Sequence, residues 1–270
     1  MRKALAMATA TDVGQVRQRN EDCVAVDATH GLALLADGLG GYNAGDVAST
    51  MAVALLMHEI TSRLDTSFFG EQKLEQNLEL IIREEVAKSN AAVYHTAMTQ
   101  AQYAGMGATL VLAAFHDNQI LCAHIGDSRL YRLRGEQFEQ LTHDHSLLQQ
   151  QIDQGVIVAN ALDRFHSKNL VTRALGVDPE VEVDVHSLPT QIDDIYLLCS
   201  DGLTDMASDD DIRDTIDLKR ADLNLAAQAL VKLANDNGGR DNISVALVKV
   251  RKAFPARGGF LHRIGKRLFT

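Results

Sequence analysis

Apolar residues in the first third of the chain form short blocks and then two longer periodic stretches. The blocks predict β-strands over residues 4–8, 23–27 and 31–36, because short runs rich in Val, Leu and Ala bounded by turn residues are typical of strands. In the longer stretches apolar residues recur every three or four positions, which predicts helices over 44–63 and 71–98.

After Gly105-Met106-Gly107 the spacing changes back to that of strands. The remaining predicted elements are strands over 108–115, 119–124, 129–134, 181–186, 195–199 and 243–250, and helices over 147–154 and 223–235. Helices therefore occur in blocks between blocks of strands instead of alternating with them. This order favours an α+β fold in which helices cover antiparallel strands, and it argues against a Rossmann-like sheet.

The composition is that of one globular domain. The chain has 270 residues, 46% of them hydrophobic, and three prolines, so a linker or a disordered region has little support. The formal net charge of −10 argues against a nucleic-acid-binding surface, which needs clustered basic residues. Two explanations of the acidity stay open at this point, namely plain solubility or carboxylates gathered around a cation.

The cysteines and the distribution of apolar residues indicate the cellular compartment of the protein. Cys23, Cys122 and Cys199 are odd in number, lie far apart and show no C-x-x-C spacing, so neither a zinc site nor a disulfide framework is predicted. The short apolar start of the chain reaches Asp12 at once, which favours a first strand over a signal peptide. No apolar segment is long enough to span a membrane. We expect a cytoplasmic protein.

Four aspartates share one context at the ends of strand-like runs. Asp37 and Asp201 follow apolar runs and precede glycine, Asp127 follows Gly126, and Asp241 precedes the last predicted strand. Any one of them would ordinarily be a turn residue or a cap. Four together indicate a divalent-metal site, because converging carboxylates repel one another unless a cation lies between them. Oxygen ligands without His or Cys favour Mg²⁺ or Mn²⁺.

These aspartates belong to a series of short motifs. In chain order the motifs are Val16-Arg17-Gln18-Arg19-Asn20-Glu21-Asp22, Ala36-Asp37-Gly38-Leu39-Gly40-Gly41, Gly107-Ala108-Thr109, Ile125-Gly126-Asp127-Ser128-Arg129, Leu141-Thr142-His143-Asp144-His145-Ser146, Thr172-Arg173-Ala174-Leu175-Gly176, Ser200-Asp201-Gly202-Leu203-Thr204-Asp205 and Arg240-Asp241-Asn242-Ile243-Ser244. Each is a weak pattern alone. Their order, over residues 11 to about 250, resembles that of the metal-dependent protein phosphatases (PPM, type 2C), in the compact bacterial branch.

The resemblance implies a fold, a reaction and a division of the chain. The fold would be a four-layer αββα sandwich of two antiparallel β-sheets flanked by helices, with the metals in a cleft at one edge. Residues 1–250 would form the phosphatase domain, and residues 251–270 a short basic tail. The protein would remove phosphate from phosphoserine and phosphothreonine in proteins, opposing a Ser/Thr protein kinase, and we expect a monomer.

The resemblance also implies a role for each aspartate. Asp37 would bridge two metal ions, Mn²⁺ or Mg²⁺, and the carbonyl oxygen of Gly38 would contact one of them. Asp201 and Asp241 would complete the ligands of the other. Asp127, together with Asp201, would hold a weaker third ion.

Three further residues would complete the chemistry that the resemblance implies. Glu21 and Asp22 would act mainly through metal-bound water, and Arg17 would bind the substrate phosphate through its planar, permanently charged guanidinium. Water activated between the two ions would attack phosphorus in line with the leaving Ser or Thr oxygen, without a phospho-enzyme. The three cysteines would then be core residues and not nucleophiles.

One position departs from the pattern of the eukaryotic members, which often place His directly after Asp-Gly as a candidate general acid. Here that residue is Leu39. We therefore expect metal-bound water to protonate the leaving group, and His145 is either the alternative donor or an anchor for its loop. His124, His143 and His166 are expected to be structural.

The polar stretch between Ser146 and Leu170 occupies the place of the family's flap beside the metal centre. It includes Gly155 and Arg164. Such a flap would influence which phosphoprotein is accepted, but the sequence indicates no particular specificity.

The end of the chain is basic, since six Lys and Arg and no Asp or Glu follow Val250. A frayed terminus, or one docked on the acidic body, is one interpretation, and a weak contact with anionic lipid or an acidic partner is the other. No stable membrane insertion is expected. Three alternative functions stay in view: an inactive PPM-like binding module, a phosphatase dedicated to one regulatory partner, and a small-molecule phosphatase. The presence of Asp37, Asp201 and Asp241 argues against the first.

Overall fold

The computed structural model describes residues 1–40, 44–67, 74–155 and 170–255. Within these ranges two antiparallel β-sheets lie face to face, and helices cover both outer faces. The α+β class and the αββα sandwich expected from the sequence are confirmed.

The elements are numbered in chain order. The strands are β1 (Leu5–Asp12), β2 (Asp22–Asp27), β3 (Leu32–Leu39), β4 (Gly107–Ala108), β5 (Leu110–His116), β6 (Gln119–Ile125), β7 (Arg129–Arg134), β8 (Gln137–Gln140), β9 (Asp184–Pro189), β10 (Ile195–Cys199) and β11 (Ile243–Val250). The helices are α1 (Gly45–Ser67), α2 (Leu74–Thr99), α3 (Leu147–Asp153), α4 (Asp201–Thr204), α5 (Asp209–Leu218) and α6 (Leu223–Asp236). None of the described helices is long and apolar enough to cross a membrane.

The strand order brings distant parts of the chain together. The first sheet has the order β1-β11-β10-β7-β8, and the second has the order β2-β3-β5-β6-β9, with β4 paired to the end of β3. Because β10 and β11 are antiparallel neighbours, the residues that follow β10 lie beside those that precede β11. In the second sheet, β2 and β3 pair so that Asp22 lies directly opposite Asp37.

Three apolar layers hold the sandwich together. The layer between the sheets contains Leu35, Phe115 and Tyr196, and the two aromatic rings meet edge to face with centroids 5.3 Å apart. Helices α1 and α2 pack on the outer face of the second sheet, and α5 and α6 on that of the first. Aliphatic side chains dominate all three layers, as the aromatic content of 5% requires. The sheets therefore form a packed frame that fixes the ends of their strands.

The strand predicted over 108–115 is interrupted at Thr109. The backbone N–H of Thr109 donates to the carbonyl oxygen of Asp37 at 2.8 Å, and its hydroxyl accepts the N–H of Asp37 at 3.0 Å. Thr109 is thus bound to one aspartate by two hydrogen bonds, and the strand divides into β4 and β5 on either side of it.

The strand predicted over 181–186 was misplaced by three residues. Pairing with β6 begins at Asp184 and continues to Pro189. Directly before it, the carbonyl oxygen of Val183 accepts a hydrogen bond from Arg83 in α2, so that group bonds to a helix side chain and not to a strand. The start of the second predicted helix, 71–73, lies outside the described residues.

Helix α5 and strand β8 were missed because their sequences are strongly polar. Helix α5 begins with three aspartates that resemble a loop, although the hydroxyl of Ser208 caps it and Ile212 and Ile216 are buried. Strand β8 has one apolar residue, Phe138, whose ring stacks on Tyr131 with centroids 4.7 Å apart. In both cases tertiary contacts decide the structure against a weak local pattern.

Replacing Leu35 by Ala is expected to lower the free energy of unfolding by about 2–5 kcal/mol, because the cavity forms in the layer between the sheets. Leu35 is fully buried, whereas Leu218 is 82% exposed. Denaturant unfolding of both Ala variants checks the comparison, and Leu218→Ala should stay within about 0.5 kcal/mol of the parent protein. Equal losses in the two variants would contradict the assignment of this layer as the core.

Candidate metal centre

Five aspartates converge at one edge of the sandwich, each held by a different part of the frame. Asp22 begins β2 and Asp37 lies near the end of β3, while Asp127 lies in the turn between β6 and β7. Asp201 begins α4 two residues after β10, and Asp241 lies two residues before β11. Their charges act on one another across the two sheets. The structure thus brings together every aspartate for which the sequence predicted a metal contact.

The carboxylates of Asp37 and Asp201 both have a pKa well above the ordinary range. Burial is the largest cause for both. For Asp37 the next cause is the negative charge of Asp22, followed by those of Asp201, Asp127 and Asp241, and for Asp201 it is the charge of Asp127. Each group therefore destabilises the ionised form of its neighbours.

Hydroxyl groups surround Asp22. The Oγ of Ser200 donates to its Oδ2 at 2.8 Å, and the nearby hydroxyl of Ser244 also lowers the pKa of this carboxyl. Burial raises the pKa of Asp22 to about 6, against the lowering effect of the two hydroxyls. Its Oδ1 is buried without a hydrogen-bond partner. The expectation that Asp22 acts through water stays a prediction, and the free Oδ1 is the atom available for it.

Asp127 lies in a turn that has little room to adjust. Gly126 has a φ of +98°, and a Cβ at this position would lie 2.7 Å from the Cγ2 of Thr109. Burial, followed by the charge of Asp144, raises the pKa of Asp127 to about 6. The turn therefore presents a buried carboxylate from a conformation that favours glycine at its first position.

Arg17 projects from the loop between β1 and β2 toward the carboxylates. Its Nη2 donates to Oδ2 of Asp241 at 2.6 Å, and 54% of its side chain is exposed. This hydrogen bond raises the pKa of Arg17 further above its already high ordinary value. The guanidinium is therefore permanently charged, anchored at the centre and accessible from solvent.

Asn242 fixes the loop that carries Arg17. Its Nδ2 donates to the carbonyl oxygens of Val13 at 3.0 Å and Arg19 at 2.8 Å, and its Oδ1 accepts the N–H of Glu21 at 2.8 Å. No role for Asn242 was predicted from the sequence, although one of the motifs contains it. The motif indicated the position, but the partners of its amide depend on the strand order.

Gly38 lies where three backbone segments crowd together. A Cβ on Gly38 would lie 2.2 Å from the carbonyl oxygen of Gly45 and 2.6 Å from that of Glu21, so any side chain would separate these segments. Oε2 of Glu21 lies 2.7 Å from where a Cβ of Gly45 would be. Burial, followed by the charge of Asp46, raises the pKa of Glu21. The two glycines thus let a carboxylate lie close to the backbone of Gly38.

The donor set fits a hard divalent cation. Oδ1 of Asp22 and Oδ1 of Asp201 are both buried without a hydrogen-bond partner, an arrangement that costs free energy unless a ligand satisfies the oxygens. All of the converging groups present oxygen, which suits Mg²⁺ or Mn²⁺ better than Zn²⁺. A cation would neutralise the repulsion and supply the missing partners together.

The histidines singled out in the sequence make local contacts. Nδ1 of His145 accepts the N–H of Gly126 at 3.1 Å, and its Nε2 lies 3.3 Å from Oδ2 of Asp184. Nε2 of His124 lies 2.8 Å from the carbonyl oxygen of His143. Because both ring nitrogens of His145 are engaged, the structure supports its role as an anchor over its role as a proton donor.

Part of the predicted flap can be placed. Ser146 caps α3, since its Oγ accepts the N–H of Gln149 at 3.2 Å, and Gly155 follows that helix with a φ of +69°. Arg164 and His166 lie outside the described residues, as do residues 256–270 of the predicted tail. The position of the flap relative to the carboxylates stays a prediction.

The cysteines have the character of core residues. Burial raises the pKa of Cys122 and Cys199 to about 12, and it also raises that of Cys23. All three thiols are free. The burial of Cys122 and Cys199 and the raised pKa of all three thiols support the expectation that none is a nucleophile.

Fold and carboxylate site together have the features expected of a metal-dependent phosphatase, and comparison with known proteins agrees. Residues 12–234 match the protein phosphatase 2C family. The serine/threonine phosphatase stp of Listeria welshimeri is 38% identical over 244 residues, which make up 88% of this chain and 93% of that relative.

Solved structures give the same result. The crystal structure of the Mycobacterium tuberculosis serine/threonine phosphatase PstP/Ppp has a TM-score of 0.80 and 34% identity, covering 92% of this chain and 100% of that one. A structure of the catalytic domain of PstP in complex with two manganese ions has the same TM-score and identity, with coverage of 92% and 99%.

The chain therefore belongs to the protein phosphatase 2C family. It is a metal-dependent phosphoprotein phosphatase, as the order of its motifs predicted.

Replacing Asp201 by Asn should raise the melting temperature in EDTA at pH 8 by about 2–4 °C, because it removes one of several mutually repelling buried charges. The same variant should lose most of the stabilisation that Mn²⁺ gives the parent protein, since a ligand stabilises only the state that binds it. Thermal unfolding with and without Mn²⁺ measures both effects. The exposed Asp178→Asn is the matched control and should change neither. An Asp201→Asn variant with the parental response to Mn²⁺ would exclude Asp201 from the site.

Proposed function

We propose that this protein hydrolyses phosphoserine and phosphothreonine in proteins with the help of two Mn²⁺ or Mg²⁺ ions, which Asp37, Asp201 and Asp241 hold at the edge of the sandwich. The observation that carries the proposal is the convergence of buried carboxylates from both sheets beside an exposed arginine. Buried charges of one sign persist in a fold when a cation and a function require them. The phosphatase names of the similar proteins support the same substrate class.

The proposed ligands are those that the family resemblance implies, and the positions of the carboxylates support them. The charge of Asp37 interacts with those of carboxylates from both sheets. Asp37 would therefore bind both ions, with the carbonyl oxygen of Gly38 beside it. Asp201 follows β10 and Asp241 precedes β11, and these two strands are neighbours. The two aspartates would complete the ligands of the two ions. Asp127, whose charge acts on Asp201 more than that of any other carboxylate, would share a weaker third ion with it.

Two further carboxylates would support these ligands. Asp22, held by Ser200, and Glu21, held by its backbone to Asn242, would contact the ions through water. When bound, two such ions lower the pKa of the water between them and so supply a nucleophile near neutral pH.

Arg17 has the properties required to bind the substrate phosphate. Its guanidinium can donate two parallel hydrogen bonds to phosphate oxygens. The loop that carries it is fixed by Asn242, so the group is preorganised while its outer part is exposed. In this position Arg17 orients the phosphate and offsets the charge that develops on its oxygens during in-line attack.

The proton of the leaving group does not come from the residue after Gly38. Leu39 cannot donate, and both nitrogens of His145 are occupied by Gly126 and Asp184. Neither Leu39 nor His145 therefore serves as the general acid, which favours solvent at the metal centre as the source of the proton.

The biological setting completes the proposal. Residues 1–250 would act as one catalytic domain, a monomer in the cytoplasm, with residues 251–270 as a basic tail. Its substrates would be proteins phosphorylated by a Ser/Thr kinase. The retained carboxylates Asp37, Asp201 and Asp241 favour this function over an inactive binding module.

Hydrolysis of a phosphothreonine peptide should require added Mn²⁺ or Mg²⁺, and Asp37→Asn should lower kcat/KM by more than about a hundredfold, because a shared ligand of both ions is lost. Phosphate release in EDTA, and after Mn²⁺ is restored, measures the requirement. Asp178→Asn serves again as the control and should retain the parental rate. Full activity in EDTA, or in Asp37→Asn, would overturn the mechanism.

Replacing Asp127 by Ala should lower kcat by about tenfold or more while two ions stay tightly bound, since Asp127 is assigned to the weaker third ion only. Isothermal titration with Mn²⁺ counts the tight ions, and steady-state kinetics at saturating Mn²⁺ gives kcat. Loss of a tight ion in this variant would instead place Asp127 among the ligands of the pair.

A further inference from the structure

Four of the ten histidines gather at one side of the sandwich, where β6 and β9 pair. His124, His143 and His186 line one cavity there together with Asp184, and the ring of His145 stacks on that of His124 with centroids 4.7 Å apart. None of these residues has been given a part in the reaction. The cluster nevertheless contacts the turn that carries Asp127.

His145 binds both polar groups of the backbone of Gly126. The ring Nδ1 of His145 accepts the N–H of Gly126 at 3.1 Å, and the backbone N–H of His145 donates to the carbonyl oxygen of Gly126 at 2.9 Å. The N–H of Gly126 belongs to its peptide bond with Ile125, and its carbonyl oxygen belongs to its peptide bond with Asp127. The two hydrogen bonds therefore fix the peptide units on both sides of Gly126 in position and in rotation. The next residue along the chain is Asp127.

The hydrogen bond from Gly126 also decides the tautomer of His145. Because Nδ1 accepts, the proton of the neutral ring lies on Nε2, which points to Oδ2 of Asp184 at 3.3 Å. Nη1 of Arg173 donates to Oδ1 of the same carboxylate at 2.9 Å and lies 3.2 Å from Nε2. The carboxylate of Asp184 thus holds the ring in the one form that can accept from Gly126.

Arg173 also supplies the positive charge of this cluster. One ligand atom each of His124, His145 and Asp184 lie within 4.8 Å of one another, a spacing that could hold a metal ion. The guanidinium of Arg173 already lies against two of these three groups. Arg173 therefore supplies the positive charge beside these groups. The role of the cluster follows from the residues that it holds in place.

On its other side the turn is tied to the bridging aspartate. The hydroxyls of Thr109 and Ser128 lie 2.7 Å apart, and that of Thr109 accepts the N–H of Asp37 at 3.0 Å. A Cβ on Gly126 would lie 2.7 Å from Thr109, so the turn fits closely against this hydroxyl pair. The turn is therefore fixed from both sides, by His145 and by Thr109.

We propose that His145 is a positioning residue for Asp127, and that Asp184 and Arg173 hold its ring in the tautomer and orientation that this requires. The inference rests on the proposed function, in which Asp127 binds the weaker third ion. His145 itself touches neither substrate nor ion. Its ring holds the N–H of Gly126 and its backbone holds the carbonyl oxygen, and together they set the direction of the Asp127 carboxylate. Residues outside the metal ligands would thereby set the affinity for one ion of three.

The backbone around His145 connects this arrangement to the predicted flap. The carbonyl oxygen of His145 accepts the N–H of Thr172 at 2.8 Å, and Ser146 pairs with Val171 in an isolated bridge. His145 and Arg173 thus lie at the two ends of the segment that begins at Ser146 and ends at Thr172. These backbone contacts hold the two ends together directly beside the side chains that orient Asp127.

Two substitutions of His145 separate positioning from simple loss of stability. Oδ1 of Asn lies near the place of Nδ1 in His, so His145→Asn keeps an acceptor for Gly126. His145→Gln reaches toward Asp184 but has no acceptor at that place. Equilibrium Mn²⁺ binding, followed by the EPR signal of the free ion, should give two tight ions in both variants. The weak ion should lose affinity by roughly tenfold in His145→Gln, and by no more than about threefold in His145→Asn.

His186→Gln is the matched control, because it changes a histidine of the same cavity that does not contact Gly126, and it should bind all three ions like the parent protein. Equal weakening of the tight and weak ions in His145→Gln, an equal effect of the Asn and Gln variants on the weak ion, or no effect of either, would overturn the proposal. A parent protein that binds no weak ion would refute the third site itself, and the positioning role with it. A parent protein that binds three ions but does not hydrolyse phosphopeptides would refute the proposed function alone.

Discussion

Repulsion among buried carboxylates, concentrated at the edge where the two sheets end, is the constraint on which the rest of the structure depends. Asp37 and Asp201 lie at the ends of strands in different sheets, yet the charge of Asp201 makes ionisation of Asp37 less favourable. Such groups separate or become protonated unless a packed frame holds them and a cation compensates them. The frame is available because β3, β10 and β11 are buried over most of their length. The packed core thus keeps the like-charged carboxylates close together, although their repulsion alone would separate them.

Small polar side chains transmit this constraint to the backbone. Ser200 bonds to Asp22, Thr109 binds the peptide unit of Asp37, and Asn242 fixes the loop of Arg17. Each uses its hydrogen bonds to restrict a residue that bears the charge, and each is buried or nearly so. Hydroxyls and amides suit this task because they satisfy backbone groups without adding further charge. The chemistry of the centre therefore depends on uncharged residues as much as on the aspartates.

The sequence predicted those parts of the fold that follow from local periodicity and those parts of the site that follow from motif order. The two long helices and most strands are evident from the spacing of apolar residues, and the α+β class follows from their order. Helix α5 and strand β8 could not be predicted, because Ile212, Ile216 and Phe138 gain their burial only from neighbours distant in the chain. The strand before Pro189 was misplaced for a similar reason, since Val183 bonds to a helix and not to a strand.

The site shows the same division. Asp37, Asp201 and Asp241 were recognisable because each stands beside a strand end in an ordered series of motifs. Asn242 and Thr109 lie in the same motifs, but their partners are set by which strands are neighbours, and no local pattern contains that information. The contacts of His145 with Asp184 and Arg173 join three separate segments, so they become visible only once β9 is placed beside β6.

The position of β11 in its sheet has a consequence for how the molecule is made. Among the described strands β11 comes last in the chain, yet it lies between β1 and β10 and pairs with both. During synthesis the first sheet cannot close until the ribosome has released residues near Val250, and pairings of such sequence separation form slowly. Asp241 lies two residues before this strand. A partly made chain therefore lacks one of the carboxylates that are proposed to bind the ions, so catalytic competence would arise only when the whole sandwich has been assembled.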